Sequence, residues 1–217
     1  LAQIAQLEES QWWPAEVLRE RQMRQLAAVA RHAAATIPFW ARRFAEAGFD
    51  PAAELAPESL AVLPLLERSD LQGEGRALVS PHLPREHGAG REHRTSGSTG
   101  SPVTVWGTAT TRLFWRALAL REHLWHGRRF SGRLAKIRCA SYPQALPPGG
   151  KRYSSWGSAT RDVADTGPCF LMDVESTTEQ QARWLGDVRP NYLATYPSVA
   201  GPLAGWFLEH GGAPLRR

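Results

Sequence analysis

From residue 103 onward the pattern alternates between strand and helix periods, and that alternation restricts the chain to very few architectures. Residues 103–106, 134–140, 169–172 and 192–195 are short and rich in β-branched or other apolar residues, as strands are. Residues 110–126, 178–188 and 199–210 carry apolar residues at helical spacing; in the first, Leu113, Phe114, Ala117, Leu118 and Leu124 define an amphipathic helix. Strands separated by helices predict an α/β fold with a largely parallel sheet. Residues 1–90 follow a different grammar, helical with frequent breaks. Trp12-Trp13-Pro14 opens a long helix in which Val17, Met23, Leu26, Val29 and Ala30 form the apolar face. Pro14 suits a first helical turn, where a missing N–H costs nothing. Ile37-Pro38-Phe39-Trp40 breaks the run, and a short helix through Phe44 ends at Gly48. Two short helical pieces follow around Ser59 and Ser69-Asp70-Leu71, with Ser69 as the cap of the second. Trp12, Trp13, Phe39 and Trp40 read as packing residues. The expected organisation is a helical segment over 1–90 and a partial α/β domain over 91–217.

Charge narrows the function classes. The net charge is +5, and only Lys136 and Lys151 among the basic residues are lysines. The arginines are dispersed and interleaved with acids, as in Glu16, Arg19, Glu20 and Arg21, which describes solvated helix faces rather than a nucleic-acid surface. No stretch reaches the roughly 18 apolar residues of a membrane span. Cys139 and Cys169 stand outside any CxxC pattern and read as reduced thiols, so a cytoplasmic protein without nucleic-acid or membrane partners is expected. Leu1 in place of Met, and an end just after the Gly211-Gly212 turn signal, read as cuts.

Thr95-Ser96-Gly97-Ser98-Thr99-Gly100 carries the chemistry. It gathers four hydroxyl side chains and two glycines between two expected strands. Glycines let successive N–H groups point one way and build an anion-binding concavity, and hydroxyls add donors at its rim. Composition alone leaves a solvated linker equally open, but a short run held between strands is where a functional loop belongs. Gly100 is followed by Ser101 rather than lysine and no helix follows directly, so this is not the kinase-type P-loop.

Thr95 through Pro102 resembles the phosphate loop of the adenylate-forming superfamily, and the chain as a whole resembles its branch of phenylacetate-CoA ligases and CapK-type proteins. The similarity continues in Trp12-Trp13-Pro14, in Ile37-Pro38-Phe39-Trp40 with Arg42-Arg43-Phe44 and Ala47-Gly48, and in Leu63-Pro64-Leu65-Leu66 with Asp70-Leu71. It ends in Pro190-Asn191-Tyr192-Leu193-Ala194-Thr195-Tyr196-Pro197-Ser198. The resemblance implies part of an adenylation domain that activates a carboxylic acid with ATP and magnesium and passes the acyl group to a thiol, usually coenzyme A. Thr95, Ser96, Ser98 and Thr99 would then give hydroxyls to the phosphates, and Gly97 and Gly100 backbone N–H groups. Ser101 stands where many members have lysine, and the family's acidic metal ligand, ribose aspartate and late lysine do not occur in these residues. The chain alone is therefore expected to complete neither half-reaction.

Tyr196 and Ser198 occupy a strand-to-helix junction where α/β folds place ligands, and so are candidates for the substrate pocket; a helix start that needs no ligand describes them equally well. His123 and His126 share a helical face without an evident third metal ligand. His82, His87 and His93 lie near the phosphate motif and read as solvated loop histidines. A non-catalytic nucleotide- or anion-binding module, and an enzyme passing its acyl group to a protein thiol or hydroxyl, remain as alternatives.

Overall fold

The backbone closes around separate cores in two segments, Ala2–Phe114 and Trp115–Arg217. A computed structural model describes residues 1–63, 65–95, 102–140, 142–161, 163–212 and 215.

In the first segment, α1 (Ala2–Ser10) precedes α2 (Ala15–Thr36) and α3 (Pro38–Glu46). Pro14 caps α2 from outside the helix. Pro38 forces Ile37 into extended backbone and starts α3 at its first position. Gly48, at φ +64°, turns the chain back after α3 so that Phe49 reaches the core. That core joins Ala27 and Ala30 of α2 to Phe44, Phe49 and Leu55. A run of ring contacts, Phe39–Trp40–Phe44–Phe49, spans 4.9–5.6 Å at each step. Val29 is 65% exposed, and the buried position beside Ala30 is Ala27. The fully buried positions of α2 are small residues that a hydrophobicity pattern under-weights, and Leu26 packs beside them half-buried. Trp12 is not a packing residue: it is 81% exposed. Trp13 lies under the Arg21 guanidinium at 4.1 Å.

A 3₁₀ turn covers Pro57–Val62, and α4 spans Arg68–Glu74. Ser69 lies inside α4 rather than capping it. The cap is Glu67, whose N–H donates to the Asp70 carboxylate at 2.9 Å. That bond, reinforced by Arg43, holds the Asp70 carboxyl below its ordinary value. The Arg43 guanidinium also donates to the Leu65 carbonyl and pairs with Asp70 at 3.0 Å. Arg43 thereby ties together two of the sequence segments that carry the family resemblance. The hairpin of β1 (Arg91–Arg94) and β2 (Thr104–Gly107) follows, antiparallel, with Arg91 opposite Gly107 and Arg94 opposite Thr104. Helix α5 (Ala109–Trp125) starts in this segment and runs into the next. Its buried positions are Ala117 and Leu120; Leu113, Phe114, Leu118 and Leu124 are exposed.

The second segment holds a four-stranded sheet in the order β4 (Lys151–Tyr153), β5 (Cys169–Asp173), β3 (Leu134–Arg138), β6 (Tyr192–Ala194). Strand β3 pairs in parallel with both β5 and β6, while β4 adds antiparallel to β5. The sheet is thus mixed but mostly parallel. The pleat sorts its residues by face: Ala135, Ile137 and Met172 point to α6 (Thr178–Val188) and α7 (Pro197–His210), meeting Ala182, Trp184, Leu185 and Leu203. Trp184 is buried because its indole N–H finds the Gly149 carbonyl at 3.1 Å. On the opposite face, Leu134 and Cys169 pack under Trp156, whose indole N–H donates to Gly132 O at 2.9 Å. Strand β4 was not legible as a strand: three residues, two of them basic, carry no strand period.

Candidate functional site

The hydroxyl- and glycine-rich run lies between β1 and β2 in the sequence. Ser96, Gly97, Ser98, Thr99, Gly100 and Ser101 lie outside the described residues; Thr95 and Pro102 are their described neighbours. The two strands hold the ends of the run together. Arg94 faces Thr104, and beyond that pair the Thr95 N–H donates to the Val103 carbonyl at 3.0 Å. In return, the Val103 N–H donates to the Thr95 hydroxyl oxygen, also at 3.0 Å. Val103, at the neck of the hairpin, is buried.

The histidines expected near this motif divide by role. His93 lies on β1 opposite Val105, and its ring sits over Gly107, where an added methyl would meet Nε2 at 3.2 Å. Glycine at 107 thus makes room for the histidine. His82 is exposed in the preceding loop, and His87 is half-buried within a 3₁₀ turn.

Tyr196 and Ser198 stand where the sequence puts them, just past the carboxyl end of β6. Tyr196 is the N-cap of α7, and its carbonyl accepts from Val199 and Ala200 N–H. No side-chain cap bond is made there, and both residues are exposed. Nearby, the Thr195 hydroxyl donates to Ile137 O at 3.1 Å and fixes the junction to β3.

A second constellation, which sequence reasoning missed, lies in the 115–217 segment. His123, Arg128, Lys136, Trp156, Tyr192 and Thr195 line a cleft of about 600 Å³ on the β3–β6 face. Arg128 donates to His123 Nδ1 at 2.8 Å and pairs with Glu122 at 3.0 Å. An arginine can only donate, so Nδ1 is the acceptor and the imidazole is neutral. Burial first, and then the Arg128 guanidinium, hold this imidazole below its ordinary pKa; Glu122 opposes them. Rings of Phe130 and Trp156 flank it at 6.3 and 5.1 Å. Lys136 donates to Trp156 O at 3.0 Å. The pairing of His123 with His126 in a metal site is not what this geometry favours, because Nδ1 already serves Arg128. The residues meet across some 70 positions of sequence, and no local motif announces them.

The magnesium that the resemblance implies finds no ligand set here: among the described residues no three His, Cys, Asp or Glu side chains converge. Likewise, no helix of the described residues is long and apolar enough to cross a membrane. Cys139 is exposed and Cys169 buried, both as free thiols; burial raises the Cys169 pKa.

No family model matches the chain. It is 28% identical over 201 residues to a phenylacetate-coenzyme A ligase of Thermus thermophilus, covering 93% of this chain and 42% of that protein. A phenylacetate-coenzyme A ligase of Pseudomonas putida is 27% identical over 200 residues, 92% and 43% of the two lengths. Among solved structures, a 2-hydroxyisobutyryl-CoA ligase in complex with 2-HIB-AMP and CoA, in its thioesterification state, superposes with a TM-score of 0.58 at 25% identity. That match covers 90% of this chain and 40% of the ligase. An open conformation of the same ligase gives 0.57 at 24% identity, covering 90% and 44%. The chain therefore spans about two-fifths of the length of the curated relatives it matches.

Proposed function

We propose, for a chain that shares sequence and fold with adenylate-forming CoA ligases over two-fifths of their length, that it is the phosphate-holding part of an ATP-dependent, AMP-forming carboxylate–CoA ligase. The observation that carries this reading is a hydroxyl- and glycine-rich run closed at its neck by two antiparallel strands, in a chain whose relatives are named as CoA ligases.

In this reading a carboxylate oxygen attacks the α-phosphorus of ATP. The bond from that phosphorus to the bridging oxygen breaks, and pyrophosphate leaves with the electron pair. A thiolate sulfur then attacks the acyl carbon, and AMP departs. The task of this chain lies in the first step. Hydroxyls of Thr95, Ser96, Ser98 and Thr99, with N–H groups of Gly97 and Gly100, meet the charge that accumulates on the departing pyrophosphate. Donors fixed in place before that charge develops lower the barrier without reorganising. Magnesium, which the resemblance implies, would neutralise part of that charge together with the phosphates; among the described residues no three His, Cys, Asp or Glu side chains converge to hold it. Tyr196 and Ser198, past the carboxyl end of β6, are the residues proposed to face the acid. Residues 1–90 are proposed as a helical N-terminal segment and residues 91–217 as part of the adenylation domain. Two free cysteines suit a reducing, cytoplasmic setting.

The test is substrate-dependent ATP–pyrophosphate exchange in the protein that carries this chain. Replacing Gly97 and Thr99 together with valine removes a hydroxyl and crowds the run with two branched side chains. Exchange is expected to fall by about 100-fold or more, the effect of losing a preorganised oxyanion donor. Unchanged exchange removes the loop from the mechanism. Omitting coenzyme A should leave exchange intact and stop thioester formation; a product formed without it would point to a protein acceptor.

A further inference from the structure

We infer that the cleft on the β3–β6 face is a binding site for a small organic dianion, with the Lys136 ammonium as its central counter-charge. The residues concerned belong to the 115–217 segment, so the site stands or falls apart from the phosphate-loop reading.

The first observation is charge without a partner. Among the described residues, Arg128, Lys136 and Arg138 line the cleft, and Glu122 is the one carboxylate there. Glu122 is already paired with Arg128 at 3.0 Å. Lys136 is half-buried, yet no carboxylate among the described residues pairs with it or with Arg138. The ammonium donates to Trp156 O at 3.0 Å and lies beside the Cys169 thiol, neither of which balances its charge. A cation drawn partly out of water with no acid beside it is stabilised by an anionic ligand.

The second observation is the placement of the donors. Lys136 and Arg138 alternate to the same face of β3, roughly 6.6 Å apart along the strand. His123, on α5, is close enough to Lys136 for the ammonium to weigh on its imidazole. Because Nδ1 accepts from Arg128, the His123 proton sits on Nε2, and among the described residues that N–H has no acceptor. Trp156 and Tyr192 give the cleft an aromatic wall, and about 600 Å³ admits a ring-sized body with its acidic groups. Three cations against one carboxylate are balanced by an occupant with two negative charges. A phosphate monoester and a dicarboxylate both answer that description.

The experiment titrates three probes into the chain by calorimetry: phenyl phosphate, glutarate and, as a monoanion, benzoate. The His123 ring is followed by NMR in the same samples. At least one dianion should bind about tenfold tighter than benzoate, because it engages more than one cation. The tighter of the two identifies the ligand as a phosphate ester or a diacid. A bound anion should also raise the His123 pKa, since negative charge beside an imidazole favours its cation. Lys136→Met keeps the stem and loses the charge. It should weaken the dianion about tenfold or more, and Lys136→Arg should recover most of that loss. Arg138→Gln, on an exposed side chain, should weaken it about threefold; with the His123 readout it decides the matter where Lys136→Met does not fold. Failure of both dianions to bind overturns the inference, as does benzoate binding equally well. Binding that leaves the His123 pKa unmoved also overturns it, because the anion then sits elsewhere, and so does unchanged affinity in Lys136→Met.

Discussion

A methyl group is the smallest change that position 167 would register. Gly167 donates its N–H to Phe130 O at 2.7 Å, and the next residue's carbonyl accepts from Leu134 N–H. The segments that lead into β3 and β5 are pressed together there, and a Cβ on residue 167 would run into the backbone carbonyls of Ser131 and Gly132. Backbone cannot step aside as a flexible side chain can. Gly167→Ala should therefore destabilise the 115–217 segment by about 2 kcal/mol or more, in the range of overpacked cores. Chemical denaturation would read this as a lower midpoint at unchanged slope, and a midpoint within error of the parent would show that the segments part easily. Nothing in the sequence marks this glycine, which sits in Thr-Gly-Pro and reads as an ordinary turn. The hydroxyl run is the opposite case. Its composition marks it at once, because small and hydroxylated residues crowd between two strand patterns, yet the partner of each hydroxyl is invisible until the register is known. Thr95 is expected to serve phosphate with the others; its hydroxyl oxygen accepts from the Val103 N–H, and its own proton stays free to donate.

Among the elements, α6 was the most legible, and the reason is local chemistry. Its bounds, Thr178–Val188, coincide with those expected from sequence. The Thr177 hydroxyl accepts from Gln180 N–H at 3.2 Å, and the Gln180 side chain returns the bond to Thr177 N–H at 2.9 Å. Two otherwise unpaired donors are satisfied by residues three apart in the chain, so the start of the helix is written in four letters. Thr177→Ala should cost about 1 kcal/mol, measured by denaturation, whereas Thr177→Ser should be nearly silent. Equal losses in both would mean that the methyl, and not the hydroxyl, matters at this cap. Helix α5 was legible in extent but not in orientation. Spacing shows which residues share a face; it does not show whether anything covers that face. Phe114 and Leu118 share one and are exposed, while the buried face belongs to Ala117 and Leu120. Strand β4 escaped notice because an edge strand of three residues needs only a neighbour with free backbone groups, and β5 supplies it.

At the scale of the whole molecule, the alternation of periods predicted the parallel core of the sheet, because strand–helix–strand units return the chain in one direction. It could not predict the cleft around His123, which depends on α5, β3, the loop at Trp156 and β6 arriving together. That cleft has a thermodynamic consequence. Burial and the neighbouring Arg128, with smaller contributions from Lys136 and His126, depress the His123 pKa, against the opposing Glu122. The folded chain then binds fewer protons at this site than the unfolded chain, whose histidine titrates near 6.5. The stabilising contribution is accordingly full above pH 6.5 and is lost as pH falls through that value toward the lower folded one. Amide exchange in β3 and β5, followed from pH 7.5 to pH 5.5 and corrected for intrinsic exchange rates, should show declining protection. His123→Gln, which cannot take up a proton, should flatten that decline. Its sign also separates two physical causes. A His123 that was merely solvated would give parallel profiles for the two proteins, and one stabilised as a cation by Glu122 would invert the difference. Only an imidazole held neutral between Trp156 and Arg128 makes the parent lose protection faster than the variant as the solution turns acid.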